Sequence, residues 1–233
     1  MAPLRCIFVH SPDAGYADTQ NYGARFMPLW AYALAAHIPD DGRFEYDLLD
    51  TRFGKANDVA AADVFLFSGI NQDLDAILQT LLNMQKRFPS AIFVIGGPIC
   101  WSLDQADDLP LLRNFDHIFI GDGEVVIREF LESIVACNPI ERVVRVPQRF
   151  NMADALPVDD RLLRNTIHRY YGAVVEVSRG CPFLCEFCDI RVLNDNNRPH
   201  NKDPELIVSE IDRCYRLGVK EVLLACDNFI GDV

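Results

Sequence analysis

Three cysteines within eight residues, Cys181, Cys185 and Cys188, stand in the run SRGCPFLCEFCDI with C-x3-C-x2-C spacing. The run follows the β-rich stretch Ala173–Val177, so the thiolates leave one strand end together and can converge on one metal centre. Three protein ligands leave one iron of a four-iron cluster free for an external ligand. Such an open position lets a cluster bind and activate a substrate rather than only carry electrons. Gly180 permits a sharp exit from the strand and Pro182 stiffens the loop. Phe187 is placed to shield a cluster from water, which would alter its potential. Two other chemistries draw on the same residues. A structural zinc site needs four ligands, which His200 could complete, although the spacing is not that of a common zinc module. An electron-transfer cluster calls for a fourth cysteine, and Cys214 or Cys226 qualifies only if the fold brings it close.

Other polar and small residues stand where strands end. Cys226-Asp227-Asn228-Phe229-Ile230-Gly231 closes a second β-rich run, and its Asp-Asn pair is also an ordinary turn signal. Earlier come Ser68-Gly69, Gly96-Gly97 and Gly121-Asp122-Gly123-Glu124, small residues that allow close approach of a ligand.

The elements that must position these residues alternate in type. Leu4–Val9, Tyr46–Leu49, Val64–Ser68, Ala91–Ile95 and His117–Ile120 read as strands, several of them apolar throughout, as in a parallel sheet covered on both faces. Met27–His37, Asp73–Phe88 and Glu124–Ala136 have helical spacing. In Asp73–Phe88 the residues Leu74, Ile77, Leu78, Leu81, Leu82 and Met84 are expected to make the apolar face. This β/α alternation predicts a doubly wound α/β domain, flavodoxin-like (Rossmann-like), over residues 1–140, with ligands beyond the carboxyl ends of the strands. Those ends are His10–Gly23, Gly69–Asp73, Gly96–Trp101 and Gly121–Glu124. Residues 141–170 read as a linker with one strand at Arg142–Val146. A second unit, 171–233, starts with Ala173–Val177 and the cysteine loop. Asp203 and Pro204 then suit the start of a helix that Gly218 ends, and Glu221–Ala225 follows as the next strand.

Composition narrows the class. The 233 residues are half apolar and carry a formal charge of −12, enough for a buried core and adverse to a phosphate backbone as substrate. No apolar run reaches the roughly 18 residues of a membrane span, and MAPLRCIFVHSP lacks the pattern of a signal peptide. The expectation is a soluble, cytoplasmic protein. Of eight cysteines, Cys6, Cys100, Cys137, Cys214 and Cys226 lie scattered among apolar neighbours and read as buried core residues.

The cysteine run resembles the radical SAM (S-adenosylmethionine) superfamily, whose loop has this spacing, an aromatic residue before the last cysteine, and a place after the first barrel strand. By that resemblance Cys181, Cys185 and Cys188 ligate a [4Fe–4S] cluster whose fourth iron is chelated by S-adenosylmethionine. One-electron reduction then yields methionine and a 5′-deoxyadenosyl radical, the reductant being a flavodoxin or ferredoxin type. The Asp-Asn-Phe run resembles the version in cobalamin-associated members, which implies that Asp227 and Asn228 accept from the S-adenosylmethionine amine or ribose. Ser68-Gly69 followed by Gly96-Gly97 is similar to cobalamin-binding flavodoxin-like domains. Gly121 to Glu124 matches their G-[DE]-G-E turn, with Glu124 capping its helix or bonding a corrin amide. The family's Asp-x-His-x-x-Gly motif is missing: this chain has His10-Ser-Pro-Asp13-Ala-Gly15, so no histidine is expected on cobalt. The resemblance covers residues 1–140 and 171–233. A full radical SAM barrel has six βα units, so a partial (β/α) barrel is expected here. The implied activity is methyl transfer to an unactivated carbon or phosphorus centre of a small-molecule or natural-product-like substrate. Ring closure or rearrangement by the same architecture, and a non-catalytic cofactor-binding fragment, stand as alternatives.

Overall fold

The computed structural model describes residues 2–13, 15, 26–55, 59–146, 148–188, 190 and 198–229. They form two compact units, Met1–Ala24 with His37–Gln148, and Arg25–Ala36 with Arg149–Val233.

In the first unit the strands are β1 (Leu4–His10), β2 (Phe44–Asp50), β3 (Val64–Ser68), β4 (Ile92–Gly96), β5 (His117–Ile120) and β6 (Val143–Arg145). They pair in parallel in the order β2-β1-β3-β4-β5-β6. Parallel neighbours need long crossovers, and here helices supply several of them. Cys6–Val9, Val64–Phe67 and Phe93–Ile95 are buried, as continuous apolar strands covered on both faces must be. Phe65 and Phe93 stack across β3 and β4, with ring centroids 5.3 Å apart. The helix Leu74–Arg87 lays Ile77, Leu81 and Met84 into this core. Leu82, expected on the same face, is 46% exposed. At 3.6 residues per turn it lies about 140° around the helix from Ile77.

The second unit pairs β7 (Gly172–Glu176) in parallel with β10 (Glu221–Ala225). Between them β8 (Ser178–Arg179) pairs antiparallel with β9 (His200–Asn201), and the helix Pro204–Arg216 leads to β10. Asp203 caps that helix, accepting the Glu205 N–H at 2.8 Å, and Gly218 ends it at φ +85°. The helix predicted over Met27–His37 is Leu29–Ala35. It belongs to this unit, not to the first sheet: Tyr32 is buried and its hydroxyl meets Thr166 Oγ1 at 2.7 Å. Residues 141–170 are more than a connector. They supply β6 to the first unit and the helix Asp160–Thr166 to the second. A buried ion pair, Lys202 Nζ to Glu210 Oε2 at 2.6 Å, ties β9 to the helix behind it, and Glu210 Oε1 accepts the Val158 N–H. Among the described residues no helix is long and apolar enough to cross a membrane.

Candidate functional site

The cysteine loop starts where β7 ends. Because β7 and β10 are parallel, both carboxyl ends reach the same edge, and Val177 N–H donates to the Ala225 carbonyl there. The β8–β9 pair then pinches the base of the loop, with Arg179 opposite His200. Arg179 is held by Glu176 through two hydrogen bonds of 2.7 and 3.0 Å and lies 5.6 Å over the Phe150 ring. Gly180 turns the chain at φ +96°, and a Cβ on it would sit 2.8 Å from the Arg198 carbonyl oxygen. No larger residue fits that turn without strain.

Two contacts join this loop to the end of β10. Gly180 N–H donates to Asp227 Oδ2 at 2.7 Å, and Asn228 Nδ2 donates to Cys181 Sγ at 3.5 Å. Cys185 and Cys188 sit in a tight turn closed by Cys188 N–H to the Cys185 carbonyl at 3.1 Å. Cys181 and Cys188 are partly buried and Cys185 is exposed. Among the described residues no three His, Cys, Asp or Glu side chains converge at metal-binding range. Cys181 is the cysteine of the loop held by a side chain, through Asn228. The donor set fits an iron–sulfur cluster in kind: three thiols, none fully buried, on a short glycine-initiated loop. Phe187 is 92% exposed at the tip of the loop, with Phe183 and Leu184 also outside. The run after Phe229, Ile230–Gly231, lies outside the described residues.

His200 is poorly suited to complete a zinc site. Its Nδ1 accepts the Met152 N–H at 3.0 Å, which places the ring proton of the neutral form on Nε2 and leaves no lone pair for a metal. Cys214 is fully buried on its helix, and burial pushes its thiol pKa up. Cys226 ends β10 at the edge shared with the loop. The other cysteines divide: Cys6 and Cys100 are core residues, with burial raising Cys6 to about 12, whereas Cys137 is exposed, against its expected burial.

In the first unit, strand order reverses between β1 and β3, and ligands in open α/β sheets bind beyond the carboxyl ends at such a point. The structure brings Ser68, Gly69, Gly96, Gly97 and Gly121 to this edge, at the ends of β3, β4 and β5. Of the expected ligand edge 10–23, residues 14 and 16–23 lie outside the described residues. Several glycines have reasons internal to the chain. A Cβ on Gly97 (φ +85°) would lie 2.3 Å from Ser68 Oγ, and one on Gly69 2.6 Å from Ile77 Cδ1. Gly96 differs, because its Cβ would make only ordinary contact with Phe119, at 3.6 Å. Glu124 lies in a short 3-10 turn, Gly123–Val125, and is not the cap residue of the helix Ile127–Val135, which starts after Val126 without a side-chain cap.

Sequence reasoning missed a polar cluster beside the switch point. Asp50, fully buried at the end of β2, takes the Arg52 guanidinium at 2.6–3.1 Å, and this partner outweighs burial in holding the carboxyl below its usual range. Asp73 accepts from the backbone N–H groups of Asp13 and Ile70, tying the β1 loop to the β3 loop. Ser11 meets Thr80 Oγ1 at 2.8 Å. His10 lies among these groups. Burial first, and then Arg52, push its pKa down to about 4, against the opposing pull of Asp50 and Asp73.

No protein-family model matches this chain. The hopanoid C-2 methylase of Rhodopseudomonas palustris is 30% identical over 97% of this chain and 41% of its own length. An uncharacterized methyltransferase of Synechocystis sp. is 27% identical over 88% of this chain and 37% of its own. The cobalamin-dependent radical SAM methyltransferase TokK of Streptomyces tokunonensis is 26% identical over 88% of this chain and 34% of its own. The chain is a homologue of radical SAM methyltransferases. It spans about two fifths of the length of the curated relatives it matches.

The His10 environment has a measurable consequence. A histidine whose folded pKa lies near 4, below the ordinary 6.5, binds fewer protons folded than unfolded. Its stabilising contribution is complete above about pH 6.5 and is lost as the pH falls through that value toward 4. Chemical unfolding at pH 7 and at pH 4 should show His10→Gln losing less stability than the parent, by on the order of 3 kcal/mol. Equal losses in the two proteins would show that His10 is not held neutral.

Proposed function

We propose that this protein is a cobalamin-dependent radical SAM enzyme that transfers a methyl group to an unactivated carbon or phosphorus centre of a small molecule. The observation that supports the reading is that the cysteine loop leaves β7 at the edge where Asp227 and Asn228 follow the neighbouring parallel strand and bond to Gly180 and Cys181. When bound, the cluster with S-adenosylmethionine would supply a 5′-deoxyadenosyl radical and the corrinoid a transferable methyl group. The chain's own part is to hold and to exclude. Cys181, Cys185 and Cys188 hold iron and leave one iron open. Gly180 sets the turn, and Asp227 keeps it through the Gly180 N–H. The exposed ring of Phe187 lies beside this loop, where a bound cofactor would cover it.

In the first unit the strand order 2-1-3-4-5, with β6 added, supports a flavodoxin-like, cobalamin-type domain over residues 1–140. Ser68, Gly69, Gly96, Gly97, Gly121 and Glu124 line the edge where the corrinoid would sit. This reading puts no histidine on cobalt, because the Asp-x-His-x-x-Gly motif is missing from the loop after β1. Residues 171–233 hold the opening βαβ of a radical SAM barrel on this reading. The relatives named above support a small-molecule substrate, and the cluster chemistry requires a one-electron donor of flavodoxin or ferredoxin type.

Anaerobic reconstitution with iron and sulfide tests the metal assignment. The parent should retain about four irons per chain, and Cys185→Ala should lose most of them, because two thiolates rarely hold a cluster. Equal iron in both proteins would remove Cys185 from the ligand set. Hydroxocobalamin binding, followed by visible absorption, tests the first unit. Gly96→Val should weaken it at least about tenfold, because the new side chain enters the strand-end space a corrinoid needs. Undiminished binding would place the corrinoid elsewhere.

A further inference from the structure

Asn228 stands outside the cysteine motif, 47 residues from Cys181, yet it is the one side chain seen donating a hydrogen bond to a cysteine sulfur of the loop among the described contacts. We infer that Asn228 is a positioning residue for Cys181 and sets the reduction potential of the cluster through its amide N–H to the Cys181 sulfur. The inference rests on the radical SAM reading of the three cysteines. It also differs from the role that resemblance gave Asn228, which was to accept from S-adenosylmethionine.

Three observations support it. First, the contact is anchored on both sides. Asn228 stands three residues past the end of β10, and Cys181 follows the Gly180 turn that Asp227 holds at 2.7 Å. Parallel pairing of β7 with β10, extended by Val177 N–H to the Ala225 carbonyl, fixes the register that makes the two meet. Second, the loop is asymmetric: Cys181 has this partner, while Cys185 is exposed and Cys188 bonds through its backbone to the Cys185 carbonyl. One thiol is therefore set in place ahead of the other two. Third, the chemistry has a fixed direction. An amide donor aimed at a ligating sulfur stabilises the more negative, reduced state of a cluster, so it raises the potential. Asp227, next in the chain, engages a backbone N–H and not the sulfur, which separates the two residues' tasks.

The test is an anaerobic potentiometric titration of the reconstituted parent, Asn228→Leu and Asn228→Gln, followed by electron paramagnetic resonance. Dithionite gives up one electron per cluster and is oxidised to sulfite, and the cluster gains that electron. Leucine matches asparagine in size and has no donor, whereas glutamine keeps the amide. With iron content equal, Asn228→Leu should be harder to reduce by about tenfold, 59 mV for one electron, and Asn228→Gln should stay nearer the parent. Iron lost from the leucine variant and kept in the glutamine variant would also support the role, as positioning of Cys181. An unchanged potential in Asn228→Leu, or iron lost equally from both variants, would overturn it. A parent that takes up no cluster would instead bring down the reading of the cysteines themselves, so the two failures are distinct.

Discussion

Parallel pairing of β7 with β10 is the constraint on which the candidate site depends. In a parallel pair, both strands run out at the same edge, so residues far apart in sequence are delivered side by side. Here that edge receives the cysteine loop from one strand and Asp227–Asn228 from the other. Without the pairing, the carboxylate would not reach Gly180 N–H and the amide would not reach Cys181. The same rule acts in the first unit. Parallel strands bring Ser68, Gly69, Gly96, Gly97 and Gly121 to a common edge, and the reversal of strand order between β1 and β3 opens the crevice beside them.

Both edges are then stiffened by polar groups of modest individual strength. At the first, Asp73 joins two loops through backbone N–H groups and the Asp50–Arg52 pair closes the end of β2. At the second, the β8–β9 pair, Arg179 with Glu176, and the buried Lys202–Glu210 pair hold the base of the cysteine loop. A buried ion pair is weak evidence for stability but strong evidence for a fixed arrangement, since separating the partners leaves a charge without compensation. The effect is a firm base under a loop whose tip, from Phe183 to Phe187, is exposed. A firm base with an accessible tip is what a metal site assembled after folding requires.

Much of this was legible from the residues. Val64–Ser68 and His117–Ile120 are strands over those spans because continuous apolar, β-branched and aromatic residues leave little choice. The cysteine spacing, the turn glycine and the helix signals at Asp203, Pro204 and Gly218 were equally plain, because each is a local rule. What escaped was long-range. Periodicity identified a helix near Leu29–Ala35 but held no information on which core would bury Tyr32. Gly97 looked like room for a ligand, and the structure shows first of all a clash with Ser68 Oγ that a larger residue would suffer. Asn228 looked like a turn residue or a ligand acceptor, because its partner lies 47 positions upstream.

On the proposed function, three thiols on this loop hold a cluster with one iron open to S-adenosylmethionine. The most direct measurement is electron paramagnetic resonance of the reduced, reconstituted protein with and without S-adenosylmethionine. A four-iron signal is expected whose shape and g values change when S-adenosylmethionine is added, because the molecule binds the open iron. A signal indifferent to that addition would contradict it, leaving a cluster that carries electrons without a site for chemistry.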